Sequence, residues 1–208
     1  MGVKPILFNT EMVKAILDGR KTCTRRKIPI DIVDFCDINH DGELLSYENS
    51  YGDFINPEKL CKYQPGDILY VRETFVQAAS HTFWYKADDK EFLSKCKNWK
   101  PSIHMPKEAA RIWLKVTDIR VERLHAISED EARSEGSKKC YELLNPLEDK
   151  PIIYSAEDSG GYYVLGFKSI WNSIVKKTDF DIYGWDANPY VWVIEFERCK
   201  KPESEETK

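Results

Sequence analysis

The chain has 208 residues, with 31 basic against 35 acidic side chains and a net charge of −4. That length suits one domain, or one domain with insertions, and the charge balance excludes a general polycation, so nucleic acid could be held only through a local patch. Six Trp, eleven Tyr and nine Phe exclude a disordered chain, and no run reaches the roughly 20 apolar residues that cross a bilayer.

Residues 5–8 read as a first strand. Asn9 or Thr10 can cap a helix to about Asp18, with Met12, Val13, Ile16 and Leu17 on one face and Gly19 at the stop. The cations Arg20, Lys21, Arg25, Arg26 and Lys27 follow, with no acid among them. Residues 30–64 lack a clear period and read as an insertion with little regular structure; His40–Glu43 carries a hairpin-like turn signal. Residues 68–74 are a strand, with 81–86 as its hairpin partner, and residues 111–124 form a long strand or bent strand pair.

Ser128-Glu129-Asp130-Glu131 is a capping box that opens a short helix ended by Gly136. Residues 137–161 are turn-rich and read as a second insertion. A helix is expected over about 164–175, with Val164, Phe167, Ile170, Trp171 and Ile174 as its apolar stripe. The strand 190–196 is apolar on both faces, as a central strand is, and 200–208 read as a flexible tail. This order lacks regular β-α alternation. It predicts an α+β fold: a small, mostly antiparallel β-barrel with helices packed outside.

Several chemistries are absent. No P-loop, G-x-G-x-x-G, H-E-x-x-H or G-x-S-x-G is present, which removes the usual ATPases, dinucleotide enzymes, zincins and α/β-hydrolases. The six cysteines are widely spaced with no C-x-x-C pair. Thiols in a reducing compartment are expected rather than disulfides, and Cys36 with His40 lacks the two further ligands that zinc needs. The start MGVKPILFNTEMVKAILDGR lacks a signal peptide's apolar core and cleavage site. A cytoplasmic protein with no membrane association and no metal is expected.

The basic stretch can be a solvated loop after a helix, or a loop that holds phosphate or a base by charge-assisted bonds. If Lys21 and Thr24 face each other across a turn, they also form a nucleophile and its base. Glu73 reads as an ion-pair partner of Arg72. Trp84, Trp99, Trp113, Trp171 and Trp192 fall in core phase, whereas Trp185 sits in a turn and could stack on a base.

Gly19-x-Lys21-x-x-Thr24-x-Arg26 resembles the G-x-K-x-x-T-x-R signature of ASCH domains, a branch of the PUA-like superfamily. Residues 6–26, 64–74 (QPGDILYVRET), 99–106, 111–136 and 190–196 are similar to the larger ASCH proteins of bacteriophages and prophages. The resemblance implies a single PUA-like domain over 1–199, with insertions at about 30–64 and 137–161. It implies a cleft that binds RNA, a nucleoside or a nucleobase, with no obligatory protein partner.

A small bacterial ASCH protein is an amidohydrolase that removes the acetyl group of N4-acetylcytidine. Its lysine and threonine correspond to Lys21 and Thr24, and its glutamate to Glu135 by place in the helix. Lys21 would deprotonate Thr24, Thr24 would attack the amide carbonyl, and Glu135 would orient lysine or shuttle a proton. Arg20, Arg25, Arg26 and Lys27 would bind the ligand, and no cofactor is needed. The alternative is a non-catalytic module that reads RNA or a modified base. A nuclease is a weaker third possibility, for want of paired carboxylates at a metal site.

Overall fold

The computed structural model describes residues 2–34, 36–39, 44–48, 53–79, 82–88, 93, 96–139 and 161–203. In chain order the elements are β1 (Val3–Leu7), α1 (Thr10–Leu17), β2 (Cys23–Lys27), α2 (Ile30–Val33), β3 (Cys36–Ile38), β4 (Leu44–Glu48), β5 (Phe54–Ile55), β6 (Ile68–Arg72), β7 (Phe75–Ala79), β8 (Thr82–Tyr85), β9 (Trp113–Arg123), α3 (Glu129–Ser134), α4 (Tyr162–Ile174), α5 (Phe180–Tyr183) and β10 (Tyr190–Cys199). The chain is a mixed α+β protein whose backbone gathers into two units, residues 1–19, 63–118 and 195–208, and residues 20–62 and 119–194.

In the first unit β1 runs parallel to β6, with Val3 opposite Ile68 and Leu7 opposite Arg72, and β6 runs antiparallel to β9. Leu69 and Val71 of β6 are buried in alternation, the period-2 pattern of a strand with one face on a core. Asn9 caps α1 by accepting from the Met12 N–H at 2.9 Å. Gly19, at φ +74°, ends it in the left-handed conformation that glycine adopts without a Cβ penalty. β7 and β8 form a hairpin over Phe75, Met105, Ala109, Ala110 and Trp113.

In the second unit β10 lies between β9 and β2, and Val191 and Val193 pack against Leu124, Ile127, Ala132, Val164, Phe167 and Trp171. The apolar stripe of α4 therefore meets the strand that is apolar on both faces. Trp192 uses the opposite side, where its indole N–H donates to the Pro57 carbonyl at 2.9 Å. Glu129 of α3 caps the first turn of α4 by accepting from the Tyr163 and Val164 N–H groups at 3.1 and 2.8 Å, which satisfies donors that a helix start leaves orphaned.

Most expected elements are present within a few residues. The closed barrel is not: among the described residues β1 and β2 are the terminal strands of their sheet, and the other strands form two small separate sheets, β3-β4-β5 and β7-β8. The outer side of the chain entering β2 is bonded by α3 instead of by another strand. Lys21 bridges Glu135, and the Thr22 N–H donates to the Ser134 carbonyl at 2.9 Å.

Three further expectations change. Residues 82–85 pair with 75–79 and not with 68–74, because the chain breaks its extended run at Glu73 and Thr74 and starts a new hairpin. The stretch 30–64, expected to have little regular structure, holds α2 and the β3-β4-β5 meander. Trp84 is exposed rather than core, since β8 sits on a two-stranded ribbon with one face open. The turn signal at 40–43 and most of the second insertion lie outside the described residues. No described helix is long and apolar enough to cross a membrane.

Candidate functional site

The site lies in the second unit, where β2 runs beside α3. The capping box is formed: the Glu131 N–H donates to Ser128 Oγ at 3.3 Å, and the Ser128 N–H donates to Glu131 Oε2 at 2.9 Å. Gly136, at φ +83°, stops the helix. Glu131 and Glu135 are four residues apart and so share one helical face. That face meets the strand carrying the signature residues.

Glu135 is the hub. Its Oε2 accepts from Lys21 Nζ at 2.7 Å and its Oε1 from the Arg25 backbone N–H at 2.6 Å. The Lys21 and Glu135 side chains are 0% and 3% exposed. Lys21 Nζ also donates to the Cys23 carbonyl at 2.7 Å and the Glu135 carbonyl at 2.8 Å. Three acceptors use all three protons of an ammonium.

Arg25, also 0% exposed in its side chain, places Nη2 at 3.2 Å from Glu122 and 3.3 Å from Glu131. Arg120 bonds both of those carboxylates. Burial works to raise the Glu131 carboxyl, but the Ser128 N–H, Arg25, the Ser128 hydroxyl and Arg120 outweigh it and hold the group below its ordinary range. Cys23 lies between these charges. Burial, then Glu135, push its thiol up to about 12 against the opposing pull of Lys21 and Arg25, so it is an inert thiol at neutral pH.

The basic stretch is therefore a strand against a carboxylate face. Of the expected positive surface, Arg20 and Lys27 are exposed and Arg26 is half-buried, while Lys21 and Arg25 are buried among glutamates. Arg20 donates to the Gly136 carbonyl at 3.3 Å. Thr24 is buried on β2. Cys23 and Arg25 turn toward α3, and strand alternation directs Thr24 to the other face.

Arg25, Arg26 and Lys27 line a cleft of about 390 Å³ whose other walls are Trp171, Ile174, Val175, Lys176 and Asp179. Lys21, Thr24 and Glu135 are not among its lining residues. Lys27 Nζ is fixed 3.5 Å from Asp179 and 3.7 Å from the centre of the Tyr183 ring, a cation–π distance.

None of the residues from α4 onward in this cleft was identified from sequence. The sequence places Trp171 and Ile174 in the core stripe of a helix; Trp171 is in that core, whereas Ile174 is exposed. The available signal was the cation at Lys176 directly after that stripe. Trp185 is half-buried: its ring packs 4.7 Å from His125 and 6.2 Å from Phe167, its backbone N–H donates to Asn172 Oδ1, and it lines a separate cleft of about 500 Å³ with Asn172, Phe180, Asp181 and Asp186.

Glu73 belongs to the first unit. It pairs with Arg111, at 2.9 and 3.0 Å, and not with Arg72, which donates instead to the Ile103 carbonyl. Arg111 also reaches Asp88 at 2.5 Å and lies 4.0 Å over the Tyr85 ring. Burial pushes the Glu73 carboxyl above its ordinary range although Arg111 opposes this. Among the described residues no three His, Cys, Asp or Glu side chains form a metal-ligating group.

No family model and no curated protein matches the chain. Two solved structures do. The hypothetical protein PH0355 is 14% identical with a TM-score of 0.37, covering 96% of this chain and 100% of that one. An ASCH domain from Lactobacillus crispatus JV V101 is 12% identical with a TM-score of 0.38, covering 95% of this chain and 79% of that one. At that level the likenesses carry no argument, and the site stands on its own geometry.

Proposed function

We propose that the chain is a non-catalytic ASCH-type, PUA-like module that binds RNA or a modified nucleobase through the cleft beside β2. The supporting observation is the cleft itself. Arg26 and Lys27 offer cations beside the buried Arg25, Lys176 adds a further one, Asp179 pairs with Lys27, and Trp171 and Ile174 supply apolar surface. Cations hold phosphate and apolar walls accept a base. Lys21 supports the same reading: its ammonium protons are all donated to fixed acceptors, whereas a general base must present a lone pair. No metal or cofactor is required.

The test is binding of a short single-stranded RNA followed by fluorescence anisotropy. With about three phosphates neutralised, a single-strand slope of about −0.7 per contact predicts a loss of about 20-fold in affinity between about 50 and about 200 mM salt. Affinity that does not change over that range, or no binding at low salt, removes the reading.

A second reading is an amidohydrolase acting on an N4-acetylcytidine-like nucleoside or base, favoured by the 2.7 Å contact between Lys21 and Glu135 with Thr24 three positions along. Turnover requires Lys21 to lose a proton, take one from the Thr24 hydroxyl and so release the oxygen to attack the amide carbonyl. The proton then passes to the leaving amine, and water hydrolyses the acyl ester. Incubation with a panel of acylated cytidines, followed by chromatography, decides it. Under this reading wild type releases free cytidine and Thr24→Ala does not, with the fold retained. Under the binding reading neither protein turns over.

A further inference from the structure

The cleft at Trp185, of about 500 Å³, is within the size range of small-molecule sites. It shares no lining residue with the basic cleft beside β2. Two of its lining residues are aromatic. The Trp185 ring is held by its packing on His125 and Phe167. Its backbone is tied by an N–H donated to Asn172 and a carbonyl 2.8 Å from His125 Nε2. The Phe180 ring lies against Gly184, where an added Cβ would stand 3.2 Å from the ring and 2.6 Å from the Phe180 carbonyl oxygen. A side chain at 184 would therefore push the two aromatic residues apart. The other charged groups of the cleft are both acidic, Asp181 and Asp186. Asp186 lies 3.1 Å from Lys168, yet its side chain is 86% exposed. Asp181 is exposed, and among the described residues no cation pairs with it. The cleft thus joins rigid aromatic surface to carboxylate charge.

We infer that this cleft binds a guanidinium group, stacked on the aromatic walls and paired with Asp181. An aromatic face attracts a cation, and Trp does so most strongly. The two carboxylates repel phosphate, so Trp185 belongs to a cation site and not to an RNA surface. Among cations, an ammonium is compact and strongly hydrated, and the exposed side of the cleft leaves its water in place. A quaternary ammonium has no donor to give a carboxylate. A guanidinium is planar, weakly hydrated and carries a fork of donors that matches a carboxylate. Two sources present this group, a free guanidino compound and an arginine side chain of a peptide. The inference stands whether or not the basic cleft binds RNA.

The experiment is a two-dimensional NMR titration of the full chain that follows the Trp185 indole signal, assigned by its loss in Trp185→Phe. The probes are agmatine, the tripeptide Gly-Arg-Gly, and the N-acetyl amides of arginine, lysine and citrulline, with tetramethylammonium as a further cation. Citrulline keeps the shape of arginine without its charge. The arginine amide is expected to shift the Trp185 signal and to bind about tenfold more tightly than the citrulline amide. It should also bind several-fold more tightly than the lysine amide. Asp181→Asn, a change at an exposed position that leaves the fold intact, should weaken the arginine amide several-fold. Agmatine binding at least as tightly as Gly-Arg-Gly identifies a free guanidino compound. Tighter binding of the tripeptide identifies an arginine within a chain, and either result supports the inference. Equal affinity for the arginine and citrulline amides overturns it, as does an affinity unmoved in Asp181→Asn. Lysine amide or tetramethylammonium binding as tightly as the arginine amide overturns the choice of guanidinium. A Trp185 signal that no guanidinium probe shifts at millimolar concentration overturns the site itself.

Discussion

Glu135→Ala is expected to destabilise the protein by about 3–5 kcal/mol, the usual cost of removing one partner from a buried ion pair. The carboxylate accepts from the Lys21 ammonium and the Arg25 amide N–H, so its loss strands a buried charge and a buried donor together. Urea unfolding followed by circular dichroism measures this. The double variant Lys21→Met, Glu135→Leu should recover much of the loss, because it removes the charge along with its partner. A single substitution that costs less than about 1 kcal/mol would show that the pair is open to water in solution.

Glu73→Ala should cost a similar amount, about 3 kcal/mol, for a related reason. Glu73 is 1% exposed and binds Arg111 through both oxygens. Asp88 and the Tyr85 ring remain for Arg111 after the change, which keeps the loss toward the lower end. The removed volume also leaves a cavity at the start of the β7–β8 hairpin. Glu73→Gln should fall between wild type and alanine, since the amide keeps the volume and one acceptor. Neither substitution touches the second unit, so RNA binding by the folded fraction should be unchanged.

Much of the local structure was legible because its causes are local. The capping box needs only Ser128 and Glu131 three residues apart, and α4 needs only its stripe of Val164, Phe167 and Trp171. Strand pairing was less legible. Nothing near residue 82 tells a strand to pair with 75–79 instead of 68–74, since register depends on where the chain turns. The partner of Glu73 is 38 residues away at Arg111, beyond what a neighbour search finds.

The candidate site divided in the same way. Of the expected Lys21, Thr24 and Glu135, the lysine and the glutamate come together, while strand alternation turns Thr24 to the other face of β2. The burial of Arg25 was hidden because a run of cations reads as solvated until its carboxylates, Glu122 and Glu131, are brought over it by the fold. The far wall of the cleft was hidden because Trp171 serves the core and the cleft at once.

The way α3 finishes the outer side of the chain at β2 bears on how the molecule behaves at high concentration. A terminal strand with open N–H and C=O groups invites a strand from another molecule and seeds aggregation. Here the Thr22 amide is taken by the Ser134 carbonyl and the Arg25 amide by the Glu135 carboxylate. The same glutamate that neutralises Lys21 thus acts as a plug, occupying a hydrogen-bonding position that an invading strand would need. Its loss opens that position while the rest of the sheet can still be formed, so intermolecular strand pairing becomes a route to insolubility that does not require the chain to unfold first.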